Sequence, residues 1–178
     1  MNKSAVRKRR RSFTRQFYKG NTSAFALAVL ETVILVGANL MISWLMQKLI
    51  DVTREAFFEG MKYAKAGNHL NDICKAIGDY AESRGYGVVR DLIGHGIGTH
   101  LHEDPEVPNF DMKKRGIKLR PGMTLAIEPM INIGTWEVDW LDDDWTVVTA
   151  DGELSAHYEN TILITDGEPE IFTLNDSL

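Results

Sequence analysis

The chain has 178 residues, of which 25% are charged, and a formal net charge of −5. This length fits one ordinary domain with an appendage and is enough to bury a sizeable core. Cys74 is the only cysteine, which excludes an intrachain disulfide and a thiolate-rich metal site. Any metal in this chain must therefore be held by nitrogen and oxygen donors.

Charge divides the chain into two unlike parts. Residues 1–20 hold eight Lys or Arg and no acid, whereas from Asp51 onward acids outnumber bases by 24 to 11. A basic run such as RKRRR is one way to hold nucleic acid, but it has few aromatic neighbours and no folded platform beneath it. We therefore expect no nucleic-acid partner, and we interpret residues 1–21 as a basic tail.

An apolar segment follows the tail, and residues 24–46 hold only four clearly polar side chains, Glu31, Thr32, Asn39 and Ser43. The segment is long enough to cross a bilayer core of ~30 Å at ~1.5 Å per residue, so we predict one transmembrane helix within residues 22–50. The alternative is a buried helix of a soluble protein. The acidic side chain of Glu31 within the apolar segment leaves this alternative open.

The positive-inside rule gives this helix an orientation. It keeps residues 1–21 in the cytoplasm. We therefore expect a single-pass membrane protein, with the membrane as the partner of residues 24–46. The segment RQFYKGN…ISWLMQKLID resembles the opening of an ABC-exporter membrane domain and carries no catalytic motif.

From Asp51 the sequence is typical of an α+β domain. Asp51 or Thr53 is expected to cap a helix that runs toward Ala64. Apolar residues at helical spacing predict a second helix that Gly85 ends, namely Leu70, Ile73, Ile77 and Tyr80. Predicted strands follow at Tyr86–Arg90, in MTLAIEPM, and in a three-strand meander punctuated by two Asp-Gly pairs. Helices followed by an antiparallel run indicate the α+β class.

Two histidines lie seven residues apart in GHGIGTHLHEDPEV, residues 94–107. In a continuous strand an odd offset points His95 and His102 to opposite faces, so the chain must bend between them. Gly96 and Gly98 permit that bend. Histidine is a common metal ligand and a general acid or base near neutral pH. These residues alone are compatible with a metal-binding or catalytic site and with a loop whose histidines are solvated.

Two carboxylates occur where apolar neighbours predict burial. Glu128 in MTLAIEPM and Glu159 in SAHYENTILIT are costly to bury without a partner, and Glu159 shares a strand face with His157. With a histidine they predict a site for an ion such as Mn, Fe, Co or Zn. The acidic run Asp142–Asp144 is better explained as a solvated hairpin loop.

Three ordered segments carry a family resemblance: VVRDLIGHGIGTHLHEDPEVPNF, RPGMTLAIEPMIN and DDDWTVVTADGELSAHYENTILIT. They are similar to the C-terminal part of a type I methionine aminopeptidase, a pita-bread metallopeptidase, from about Val52 to Thr173. The resemblance implies a partial pita-bread fold for residues 51–178. It also implies a metal-dependent enzyme that removes N-terminal methionine from peptides and nascent proteins.

The resemblance implies roles for individual residues. His95, Glu128 and Glu159 match the metal ligands, and His102 matches the histidine that contacts the scissile peptide. His102 and Glu128 are thus the expected catalytic residues. Leu101 and Trp145 match positions that border the pocket for the methionine side chain. The two nearby histidines that match no ligand position, His100 and His157, are interpreted as supporting or structural residues.

The complete family site has a two-metal centre, and its first half supplies two aspartate ligands. The basic tail and the apolar helix stand where that half is expected, with a plausible joint at residues 49–53. The resemblance therefore implies at most one divalent ion here, of Co, Mn, Fe or Zn, and an impaired activity. It also implies an apolar face left open for self-association.

Two alternatives to an active enzyme remain. The chain is either a non-catalytic, membrane-anchored module that binds metal or peptide, or a fusion of unrelated fragments. Topology favours these alternatives, because the family is cytoplasmic whereas the charge rule places the acidic domain across the membrane.

Overall fold

A computed structural model describes residues 3–174 of the chain. They form two compact units, and the boundary falls between Leu45 and Met46. A long helix, α1 (Lys3–Met61), contributes to both units. The second unit also contains helix α2 (Leu70–Glu82) and all the strands.

The part of α1 in the first unit is an exposed apolar helix. A kink interrupts it at Asn21, whose φ is −126° and ψ is 19°. Thr32 and Ser43 donate hydroxyl hydrogen bonds to carbonyl oxygens four residues earlier, at 2.8 and 2.9 Å. One helical stretch, Tyr18–Met61, is long and apolar enough to cross a membrane, and its most apolar window has no buried residue. The predicted helix within residues 22–50 is thus present as a helix.

The separate helix start predicted at Asp51 or Thr53 is wrong, because α1 continues unbroken to Met61. Thr53 Oγ1 donates to the carbonyl oxygen of Leu49 at 2.7 Å, and Asp51 Oδ1 accepts from Gln47 Nε2 at 2.9 Å. Both side chains are satisfied within the helix, so neither is needed as a cap. A threonine that bonds to the carbonyl four residues back is compatible with a helix interior.

The main core of the second unit forms between the C-terminal end of α1, α2 and the strands that carry Val107, Leu125 and Ile162. Phe57 is fully buried, and its ring lies 5.3 Å from that of Tyr158 in an edge-to-face arrangement. The predicted apolar face of α2 is buried at Leu70, Ile73 and Ile77. Gly85 has a φ of +84°, as expected of a residue that follows a helix end.

Cys74 lies on the same buried face of α2. Burial raises the pKa of its thiol to about 12, because the apolar core disfavours the thiolate. Cys74 is therefore a small residue of the core.

Ten short strands form three antiparallel sheets. They are β1 (Gly87–Val88), β2 (Gly94–Gly96), β3 (Glu103–Val107), β4 (Thr124–Ile127), β5 (Met130–Asn132), β6 (Val138–Trp140), β7 (Val147–Thr149), β8 (Ser155–His157), β9 (Asn160–Leu163) and β10 (Glu170–Ile171). A five-stranded sheet has the order β10-β9-β4-β2-β3, a three-stranded sheet has the order β1-β5-β8, and β6 pairs with β7. The helices and antiparallel sheets confirm the predicted α+β content.

Two segments that the sequence predicts as continuous strands are each divided between two sheets. MTLAIEPM forms β4 and β5 with Glu128 and Pro129 between them, and SAHYENTILIT forms β8 and β9 with Tyr158 and Glu159 between them. The prediction of a three-strand meander is therefore wrong. Pro129 has no N–H for a ladder, and its carbonyl oxygen instead accepts from Tyr158 N at 3.1 Å.

The two breaks lie directly opposite each other. Ile127 pairs with Asn160 before the first break, and Met130 pairs with His157 after it. Both segments thus cross between the five-stranded sheet and the three-stranded sheet at the same point. This register brings the carboxylates of Glu128 and Glu159 to a common place between the sheets.

Candidate metal centre

Glu128 lies between two imidazole rings at the end of β4. His95 Nε2 is 3.7 Å from Glu128 Oε1, and His157 Nε2 is 3.5 Å from Glu128 Oε2. The side chains of His95 and Glu128 are each 15% exposed, whereas that of His157 is 45% exposed. Each oxygen of one carboxylate therefore faces one histidine, with solvent on the His157 side.

Glu159 forms a cluster with Glu128 and His157, whereas the predicted ligand His95 contacts Glu128 and is not one of these three converging residues. One ligand atom from each of these residues lies within 4.8 Å of the others. Zinc bonds of about 2.1 Å place two donors of one tetrahedral ion roughly 3.3 Å apart. The separations are therefore within reach of small side-chain rotations, and the exposed Glu159 has room to make them. Carboxylate and imidazole donors fit a borderline divalent ion.

The tautomer of His95 is fixed by its own strand. Its Nδ1 lies 2.8 Å from the carbonyl oxygen of Gly96, and a carbonyl oxygen only accepts. The proton is therefore on Nδ1, and the Nε2 lone pair is directed toward Glu128. This is the usual second hydrogen bond of a metal-binding histidine.

The predicted bend between His95 and His102 is confirmed. β2 and β3 form a hairpin with an irregularity between His95 and Gly96, and the two ring centroids lie 4.1 Å apart. His102 is exposed, and its ring lies beside that of His95. His100 is also exposed, and its backbone N–H donates to Glu103 Oε1 at 2.6 Å.

His157 is the site residue that the sequence interpretation missed. We interpreted it as a supporting residue because it matches no ligand position, yet it lies against both glutamates. The nearby Glu128 carboxylate raises the pKa of His157, and partial burial opposes that change. Its position two residues before Glu159 was the available signal.

The side chains of Leu101 and Trp145 are both largely exposed. Their exposed fractions are 69% and 86%, so that their role at a methionine pocket stays a prediction. A mostly apolar cavity of about 200 Å³ instead adjoins His157, and residues such as Leu92, Met130 and Val147 line it.

The acidic run Asp142–Asp144 is part of an exposed hairpin loop between β6 and β7, as predicted. Asp143 accepts hydrogen bonds from the backbone N–H of Trp145 and Thr146 at 3.1 and 2.8 Å. The hydroxyl of Thr146 donates to the same carboxylate, and these bonds lower the pKa of Asp143. The run serves the turn and does not join the metal centre.

Nitrogen and oxygen donors converge between antiparallel sheets, and this donor set suits a divalent metal ion. The sequence profile of metallopeptidase family M24 matches residues 25–166, and the chain belongs to this family. Membership of a metallopeptidase family implies divalent metal ions, in agreement with the donor set. The match begins inside the apolar segment, and the comparisons do not support its resemblance to an ABC exporter.

Within the family, the chain is similar to methionine aminopeptidases. It is 60% identical over 127 residues to one from Clostridium acetobutylicum, and the match covers 71% of this chain and 51% of that protein. It is 47% identical over 127 residues to methionine aminopeptidase 1 of Bacillus subtilis. The chain spans about half the length of the curated relatives it matches.

Solved structures agree with this assignment. A methionine aminopeptidase from Thermotoga maritima superposes with a TM-score of 0.70 at 47% identity, over 72% of this chain and 52% of that one. A prolidase from Pyrococcus furiosus matches with a TM-score of 0.54 at 23% identity, which shows the shared fold alone. The expected pita-bread fold is confirmed for the matched part of the chain.

Proposed function

We propose that this chain is a metal-dependent aminopeptidase that removes N-terminal methionine from peptides and nascent proteins, and that its activity is impaired. The observation that supports the proposal is the convergence of Glu128 with an imidazole at each oxygen and with Glu159 nearby. The similarity to methionine aminopeptidases supports the choice of substrate.

We propose His95, Glu128 and Glu159 as ligands of one divalent ion, of Co, Mn, Fe or Zn. The fixed tautomer of His95 and the opposed strand breaks support this ligand set. Such an ion polarises a peptide carbonyl and activates water near neutral pH. The complete family site holds two ions. Two of its ligands are aspartates from the first half of the family fold, and we find no match for them in this sequence.

His102 and Glu128 are the proposed catalytic residues. The ring of His102 lies close to that of His95 and is exposed, so that it can hold the scissile peptide beside the ion. Glu128 accepts the proton that the attacking water releases. Leu101 and Trp145, both exposed, are proposed to border the methionine side chain.

The proposal predicts slow, metal-dependent release of methionine from the peptide Met-Ala-Ser by the full chain in mild detergent. His102→Ala lowers the rate about 100-fold, since loss of one donor to the reacting carbonyl typically has this effect, and leaves the bound metal in place. Free methionine and metal content are measured on the same samples. His100→Ala, on the same loop, retains the parent rate.

Two outcomes contradict this proposal. Release of no methionine at any metal loading excludes the activity. Loss of metal from His102→Ala means that the roles of His95 and His102 are reversed.

We also propose that residues 24–46 anchor the chain in a membrane, with residues 1–21 on the cytoplasmic side. An apolar helix with no buried residue in its most apolar window supports this proposal. We expect the full chain to stay in the membrane pellet after alkaline carbonate extraction. Replacing Val33, Ile34 and Leu35 with lysine releases it, since each central charge costs about 3 kcal/mol in a membrane.

The matched control replaces the same three residues with alanine and stays in the pellet. Extraction of the parent chain by carbonate contradicts the membrane proposal and leaves the aminopeptidase proposal intact.

A further inference from the structure

The geometry around His157 differs from that of a simple supporting residue. Its Nε2 is 3.5 Å from Glu128 Oε2, beyond the range of about 2.7–3.2 Å that N–H···O hydrogen bonds occupy. The separation is close to the roughly 3.3 Å between two donors on one tetrahedral ion. His95 has nearly the same relation to the other oxygen of Glu128, at 3.7 Å.

We propose that His157 is itself a metal ligand, and that it completes with His95, Glu128 and Glu159 a site for a single divalent ion. This inference rests on the proposed function, because it uses the same two carboxylates. The family resemblance assigns no ligand role to His157, so the ligand set proposed here belongs to this chain.

Charge supports a single ion at this site. Two carboxylates carry two negative charges, and two neutral imidazoles add none, so that the four donors neutralise one divalent cation. The Glu128 carboxylate is only 15% exposed, so an unbalanced charge beside it is costly, whereas a neutral ion–ligand group is not. A second ion in the same group leaves two positive charges without a ligand to balance them.

The fold holds the backbone of His157 and leaves its ring free to turn. His157 is the last residue of β8 and pairs with Met130 in β5. Its side chain is 45% exposed, in contrast to the 15% of His95 and Glu128. The ion therefore has a path from solvent to the cluster on the His157 side, and the ring can close behind it.

The test is nitrogen NMR of the full chain labelled with ¹⁵N-histidine and titrated with zinc. We expect two Nε2 resonances to move from the position of a bare ring nitrogen to that of a metal-bound one. His95→Gln and His157→Gln each remove one of the two. His157→Gln also lowers the zinc affinity about 10- to 100-fold, whereas the exposed control His100→Gln does not change it.

The results separate this inference from the proposed function. If zinc binds but only the His95 nitrogen becomes metal-bound, His157 is not a ligand, and the proposed function stands. If the parent chain binds no zinc, the inference and the metal-dependent function both fail. The number of metal-bound histidine nitrogens in the parent chain tests the inference even if a variant folds poorly.

Discussion

Replacing Glu128 with glutamine is expected to lower the zinc affinity of the full chain by about two orders of magnitude or more. Loss of a residue that only hydrogen-bonds to a ligand lowers metal affinity about 10- to 100-fold, and loss of a ligand should have at least this effect. Both oxygens of Glu128 face imidazoles, and Glu159 lies in the same cluster. The amide removes a negative charge and replaces one acceptor with a donor that repels the cation. Zinc affinity is measured by competition with a chromophoric chelator.

Glu106→Gln is the matched control for this substitution. Glu106 is exposed on β3 directly opposite His95, and it is not one of the three residues whose ligand atoms form the cluster. The control should bind zinc as the parent does, and both variants should unfold at the parent temperature. Equal affinities for the Glu128 and Glu106 variants contradict the placement of Glu128 at the centre of the site.

Replacing Gly94 with alanine is expected to destabilise the second unit by roughly 3 kcal/mol, the upper end of the usual effect of overpacking. A Cβ on Gly94 collides with the carbonyl oxygen of Ala126 and lies 3.3 Å from that of Val107. Both are backbone atoms of the strands that flank β2, so no side-chain rotation relieves the contact. His95 follows Gly94 directly, and zinc affinity falls as well. Urea unfolding followed by tryptophan fluorescence measures the change.

Gly167→Ala is the control for the glycine substitution. A Cβ on Gly167 meets only Thr165 Oγ1, at 3.9 Å, which is an ordinary contact. Its stability should remain within about 0.5 kcal/mol of the parent, as for most surface substitutions. Similar unfolding curves for the two variants show that the close approach of β2 to its neighbours does not hold.

Local sequence patterns predicted the features that depend on neighbouring residues. The helical spacing of Leu70, Ile73 and Ile77 gave the buried face of α2. The odd separation of His95 and His102 required a bend, and the hairpin of β2 and β3 supplies it. The apolar setting of Glu128 indicated a largely buried carboxylate with partners, and its side chain is 15% exposed beside two histidines. The same prediction for Glu159 is wrong, because this residue lies in the break between β8 and β9 and is exposed.

Features that depend on tertiary pairing were not predicted. An alternating apolar pattern does not show where a strand changes sheets. The sequence therefore predicts continuous strands through Glu128 and Glu159. Helix-capping residue types also occur inside helices, and the hydroxyl of Thr53 bonds to Leu49 within α1. The place of His157 follows from the register of β5 with β8, which becomes known only once the sheets are formed.

Counting the metal ions bound to the purified full chain tests the central claim most directly. Elemental analysis after zinc loading and removal of free metal is expected to give about one zinc per chain, because Glu128, His157 and Glu159 form one cluster and His95 lies 3.7 Å from Glu128. A parent chain that is folded and retains no zinc contradicts the claim that these side chains share one ion.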